Sequence, residues 1–269
     1  MTTAPLSSPS RSRESACWIA VPAAILALCA LATLASGRNT DWFLGWNAAA
    51  AAAPAFLWAG LTNLGSTSGA FALLAGFLAW HPRWAASALL AVPVGALYTH
   101  GAKEFFDEAR PAGVLGAEHF NVIGEILRTG SFPSGHSATA FGFAAVAALC
   151  AVQAGKRWIA VAALSLAAAV AFSRVAVGAH WPLDIFAGAA GGWLCGAFGV
   201  WWSSRWRFWE KRTGWRVLAV LMAGFSISVF FEELGYPEGR WIQYALSAWG
   251  LGGIAFALAR APLPQGRRT

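Results

Sequence analysis

Eight apolar stretches, at about 16–36, 64–80, 84–106, 137–153, 158–177, 183–202, 217–231 and 241–258, follow one another along the chain, and nothing else constrains its fold as much. Crossing the ~30 Å hydrocarbon core of a bilayer takes ~20 predominantly apolar residues in a helix. Inside lipid every backbone N–H and C=O must be satisfied within the protein, which leaves only helices or closed barrels. Runs of this length without strand-like alternation predict an all-α fold, a polytopic transmembrane helical bundle. At 58% hydrophobic and 12% charged residues, the chain is far more apolar than an ordinary soluble domain.

The segments between the spans complete the plan. Residues 1–15, rich in Ser, Thr and Pro, read as a disordered cytoplasmic tail. The run at 16–36 is long for the apolar part of a cleaved signal peptide, so a retained first span is expected. Residues 38–63 carry Asp41, Asn47 and Pro54 together with Trp42, Trp46 and Trp58, and read as an interfacial helix. Residues 16–202 form a membrane core, 203–216 a basic cytoplasmic linker, and 217–269 a C-terminal pair of spans with a short tail. Cys17, Cys29, Cys150 and Cys195 sit in apolar runs with no metal-site spacing and read as small hydrophobes.

Charge orients this bundle. Of the 19 Lys and Arg, thirteen fall in segments that are cytoplasmic if both termini are; Arg38, Arg128 and Arg240 fall opposite, and Lys103, Arg110 and Arg174 lie in the motifs below. That bias is the positive-inside pattern, so a net charge of +7 argues for membrane topology, and nucleic acid is not an expected partner.

Three polar clusters interrupt the lipid-like sequence, all on the external face in this topology. Lys103 and Arg110, seven apart, share a face if both lie on one helix that Pro111 ends. They can reach a common anion, or snorkel to headgroups and pair with Glu104, Asp107 or Glu108. Pro133-Ser134-Gly135-His136 opens a span. Ser134 suits an N-cap, Gly135 admits close backbone approach, and a helix N-terminus favours anions. His136 would stand at its mouth as a proton donor or as a simple cap. Arg174 falls in the last turn of a span that Gly178 can end. His180 lies in the following turn and Asp184 four residues on, where it can fix the imidazole tautomer or merely tie two helices together. Five polar residues of the 112–130 loop, Glu118, His119, Asn121, Glu125 and Arg128, read as a solvated loop over these clusters, and His81 and His100 as packing residues.

These clusters resemble the signature of the type 2 phosphatidic acid phosphatase (PAP2) superfamily, which also includes acid phosphatases and vanadium haloperoxidases. Its three parts, Lys-x6-Arg-Pro, Pro-Ser-Gly-His and Ser-Arg-x5-His-x3-Asp, stand here as Lys103 to Arg110-Pro111, Pro133 to His136, and Ser173-Arg174 to His180 and Asp184. Every specified position matches. The resemblance implies a six-helix PAP2-like core, with the last two spans as additions. It also implies that His180 attacks phosphorus, Asp184 orients it, and His136 protonates the leaving oxygen. Lys103, Arg110 and Arg174, with backbone N–H groups at Ser134 and Gly135, would hold the phosphate oxygens, with no metal or cofactor.

The membrane setting makes a phosphorylated lipid the expected substrate: phosphatidic acid, phosphatidylglycerol phosphate, undecaprenyl pyrophosphate or a lipid A phosphate. A lipid phosphotransferase would use the same residues, and a headgroup-binding protein without turnover is a third reading. A bacterial cytoplasmic membrane with the site facing the periplasm is the expected location. The sequence leaves the oligomeric state open.

Overall fold

The computed structural model describes residues 9–260, with side chains from residue 13 onward. All regular structure among the described residues is helical: α1 Pro9–Ser36, α2 Asn39–Ala50, α3 Ala55–Leu64, α4 Thr67–Ala75, α5 Pro82–Phe106, α6 Pro111–Val114, α7 Gly135–Gln153, α8 Arg157–Ala176, α9 Pro182–Arg205, α10 Arg212–Phe231 and α11 Arg240–Arg260. Seven of them (α1, α5 and α7 to α11) are long and apolar enough to cross a membrane. Large apolar side chains such as Leu28, Leu97, Val220 and Phe231 face outward, as expected of a multi-pass membrane protein. The tail expected over 1–15 lies in part outside the described residues, and α1 begins at Pro9, within it.

In lipid, apolar side chains gain nothing from leaving water, so helices associate through close packing and small residues. α9 is built for this. Gly188, Gly192 and Gly196 recur every four residues along one face against α7. A Cβ at Gly192 would lie 2.1 Å from the Ala138 carbonyl oxygen, and one at Gly196 would lie 2.1 Å from that of Gly142. On its α5 side, Gly191 makes room for the Tyr98 ring, whose hydroxyl donates to the Ala187 carbonyl at 2.9 Å. α1 lies along α9, with the Trp193 indole donating to the Ile19 carbonyl at 3.1 Å. The C-terminal pair packs on α4: Gly250 approaches Ser226 and Ala72, and Gly253 approaches Gly76.

Two expectations are corrected. Residues 64–80 are not one helix, because α3 ends at Leu64 and α4 starts at Thr67. Ser66 takes an extended conformation between them and caps α4 by accepting from the Gly69 N–H at 3.0 Å. That crossing is therefore made by a broken helix. The interfacial segment 38–63 is likewise two helices, α2 and most of α3, with extended Pro54 capping the second.

Connectivity then fixes the two ends of the bundle. The C-terminal ends of α5 and α8 and the N-terminal ends of α7 and α9 meet at one end. Arg83, Lys156, Arg157, Arg205 and Arg212 lie at the other.

Candidate active site

The first cluster departs from expectation. α5 ends at Phe106, with Asp107 as a left-handed C-cap (φ 43°), and Pro111 opens α6 instead of stopping α5. Lys103 and Arg110 are thus not on one helix face, and Arg110 occupies the extended position before α6. They converge all the same, since both donate to the Gly130 carbonyl, Lys103 through Nζ and Arg110 through Nη2 at 3.3 Å. Arg110 also donates to Thr129 O (2.8 Å) and, through Nη1, to Ala179 O (3.1 Å). Gly130 itself sits at φ 64°, a conformation that costs glycine little. Among the described residues neither cation forms an ion pair with a carboxylate, so the pairing alternative does not describe this geometry.

The second cluster opens α7. Ser134 caps it through Oγ, which accepts from Ser137 N–H at 3.3 Å, while Ser134 N–H donates to the Asp184 carbonyl at 3.0 Å. The contact is close because a Cβ at Gly188 would lie 2.4 Å from Ser134 O. The starts of α7 and α9 are thereby locked together. Gly135 has open space at its Cα, and His136 Nε2 is buried without a hydrogen-bond partner.

The third cluster is the most tightly built. Gly178, at φ 79°, turns the chain out of α8, so that the N–H groups of Ala179 and His180 donate to the Arg174 carbonyl at 2.9 and 3.1 Å. Arg174, His180 and Asp184 are each 1–2% exposed. Asp184 Oδ2 accepts from Ser131 Oγ (2.5 Å), Trp181 N–H (3.0 Å) and His180 Nδ1 (3.2 Å). A carboxylate at Nδ1 places the imidazole proton there and leaves Nε2 with its lone pair. Burial first, then Arg110, Arg174, Lys103 and His136, hold the His180 pKa well below its ordinary value, so the ring is neutral.

All eight residues singled out in the sequence therefore gather at one end of the bundle. Arg174 Nε and Nη1, like His136 Nε2, have no hydrogen-bond partner among the described residues. Ser131, which donates to the same Asp184 oxygen that meets His180, carried no sequence signal beyond its place before Phe132-Pro133. Asn47 of α2 was missed as well. Its amide donates to the Asn121, Val175 and Ala176 carbonyls at 2.9 to 3.2 Å and pins α2 and the 112–130 loop to the end of α8. In that loop Glu118 and His119 pair with each other in the open, and Arg128 donates to Ala112 O. His81 stacks on Trp84, away from the site. His100 lines a cavity of about 370 Å³ that contains Lys103 and His136 at one end and reaches Gly142, Phe143 and Cys195. Among the described residues, no three His, Cys, Asp or Glu side chains cluster as a metal site would require.

Comparison with known proteins gives the same picture. Residues 84–209 match the PAP2 superfamily. Over 73 residues the chain is 42% identical to Lipid A 1-phosphatase of Porphyromonas gingivalis, a match covering 26% of this chain and 16% of that protein, so it spans about a sixth of the relative. The fold is similar to the crystal structure of Aquifex aeolicus LpxE, with a TM-score of 0.52 and 28% identity, over 60% of this chain and 94% of that one. Residues 84–209, the segment that matches the PAP2 superfamily, hold every motif position from Lys103 to Asp184.

Proposed function

We propose that the chain is a lipid phosphatase that removes a phosphate from a membrane lipid through a phosphohistidine, at a site facing the periplasm. The observation that carries this reading is His180 with Nδ1 held by Asp184 at 3.2 Å, beside three cations that, among the described residues, form no ion pair with a carboxylate. Such a pocket suits a group bearing two negative charges. In the first step the His180 Nε2 lone pair attacks phosphorus and the bond from phosphorus to the lipid oxygen breaks. That oxygen takes a proton from His136. In the second step His136 accepts a proton from water, water oxygen attacks phosphorus, the P–N bond breaks and inorganic phosphate leaves. Lys103, Arg110 and Arg174 hold the equatorial oxygens as charge shifts, which is the main task in phosphoryl transfer.

The cavity beside Lys103 and His136 supports a lipid substrate. From His136 to Phe143 it follows two turns of α7, about 10 Å at ~1.5 Å per residue, into a part of the bundle lined by Gly95, Ala96 and Gly142. An acyl chain can lie there while its headgroup phosphate sits among the cations. The name of the Porphyromonas gingivalis relative, Lipid A 1-phosphatase, makes the 1-phosphate of a lipid A-like molecule the leading candidate.

The test is phosphate release by the detergent-solubilised protein in EDTA, over lipid A, phosphatidic acid, phosphatidylglycerol phosphate and undecaprenyl pyrophosphate. Release from one lipid, reduced on the order of 10³-fold or more in His180→Ala, is the expected outcome. Undiminished turnover by that variant, or strict dependence on added magnesium, would refute the mechanism. Transfer of phosphate to a second lipid without free phosphate would make the chain a phosphotransferase.

A further inference from the structure

The α10–α11 pair lies outside the family-matched segment, yet the turn joining its helices reaches the site. Tyr236, in that turn, is 4% exposed, and its ring lies under the Arg174 guanidinium with Cζ 5.1 Å from the ring centroid. Arg110 is within Coulombic range of the same phenol. The turn is held from two sides. Gly235 O accepts from Glu125 N–H at 2.8 Å, and Tyr236 O accepts from the Asn63 amide at 3.2 Å. Gly124 leaves room for the ring, since a Cβ there would lie 2.6 Å from ring atom Cδ1. The phenol is therefore fixed in place before any ligand arrives.

Its hydroxyl is buried and has no hydrogen-bond partner among the described residues. A ring needed only for packing and for contact with the guanidinium would serve as well without a hydroxyl that burial penalises. The neighbouring Arg174 Nε and Nη1 are unpartnered too, and a guanidinium can only donate. One ligand satisfies these groups together: an oxyanion that accepts from the phenol and from Arg174 at once.

We propose that Tyr236 donates its hydroxyl proton in a hydrogen bond to a non-bridging oxygen of the bound phosphoryl group, so that the C-terminal hairpin completes the phosphate site of the PAP2 domain. This rests on the phosphatase reading and adds to it a fourth phosphate-binding side chain, from a region outside the PAP2 match.

Tyr236→Phe isolates the hydroxyl, since it keeps the ring under Arg174 and the packing of the turn. The probe is orthovanadate, an analogue of the pentacoordinate phosphoryl group, titrated onto the purified full chain by calorimetry with lipid turnover measured alongside. Tyr236→Phe should bind vanadate about tenfold more weakly and lose about tenfold in kcat/KM, the usual scale for one hydrogen bond to a charged group. Its melting temperature without vanadate should be unchanged. Vanadate affinity within twofold of wild type would overturn the proposal. Wild type that binds vanadate but releases phosphate from no lipid would remove the phosphatase reading, leaving Tyr236 to be judged by the vanadate comparison alone. Wild type that does not bind vanadate would overturn both.

Discussion

Both ends of the bundle carry arginines and lysines, and the three motif cations at the site end are handled differently from the cations at the other end. At the end away from the site, Arg157 is 71% exposed at its side chain and pairs with Glu14 at 2.6 Å, while Arg207 pairs with Glu210. At the site end, Arg174 is 1% exposed, and among the described residues no ion pair includes Lys103, Arg110 or Arg174. Lys103 and Arg110 donate to backbone carbonyls and the Arg174 guanidinium lies over the Tyr236 ring, contacts that orient a cation without cancelling its charge. The one buried carboxylate nearby, Asp184, is already engaged by Ser131, Trp181 and His180. Exposed and paired cations orient a protein in a membrane. Buried or half-buried cations kept short of carboxylates hold a surplus of positive charge, and that surplus must be offset by the rest of the fold.

The sharpest way to break this contrast is Arg174→Ala. Removing one donor set from a preorganised anion site costs roughly 10²- to 10³-fold in kcat, and vanadate affinity should fall with it. The melting temperature should not fall, because the variant removes a buried charge that has no carboxylate partner. Arg174→Lys should recover only part of the activity, since an ammonium keeps the charge but not the planar fork. Loss of stability with turnover retained would make Arg174 a structural residue and dissolve the distinction between the two ends.

A second test sharpens the comparison from the side of stability. The His180 pKa is held below its ordinary value by burial and then by the surrounding cations. As pH falls through ~6.5 the unfolded chain takes up a proton at this position and the folded chain does not. Stability is therefore complete above that pH and declines below it, until the depressed folded-state value is reached. Thermal unfolding at pH 7.5 and 5.5 should show the decline, and His180→Asn should flatten it. An equal slope in the variant would assign the acid sensitivity to another group.

The sequence made the site more legible than the fold around it. Spacing within one segment determines local placement: Asp184 follows His180 by four residues and meets it, and Ser134 and Gly135 open α7 as their conformational preferences dictate. Long apolar runs likewise revealed seven of the crossings. The break at Gly65-Ser66 was hidden because a run of apolar composition does not say where its hydrogen bonding stops; the Ser66 cap does. Asp107 was hidden for a related reason. Pro111 is a strong helix signal, but the chain had already left α5 through a left-handed aspartate, and proline then served at a helix start. Tyr236 was least legible. It is far from Arg174 in sequence, and only the packing of α10 and α11 on α4 brings its turn to the site.

The smallest expected effect is at the opposite end. Arg157→Ala removes an exposed cation whose pairing with Glu14 is screened by solvent, and exposed pairs contribute little. Phosphate release should change by less than about twofold, because a charge in water one membrane thickness from the cations is screened beyond ~8–10 Å at ordinary ionic strength. The comparison is most informative in low salt. If Arg157→Ala then depressed turnover toward the level of Arg174→Ala, the cations of the bundle would be acting as one long-range field, and their burial at the site end would no longer be what separates them. An effect that stays within twofold in low and high salt alike would place the electrostatic work in the contacts of Lys103, Arg110 and Arg174.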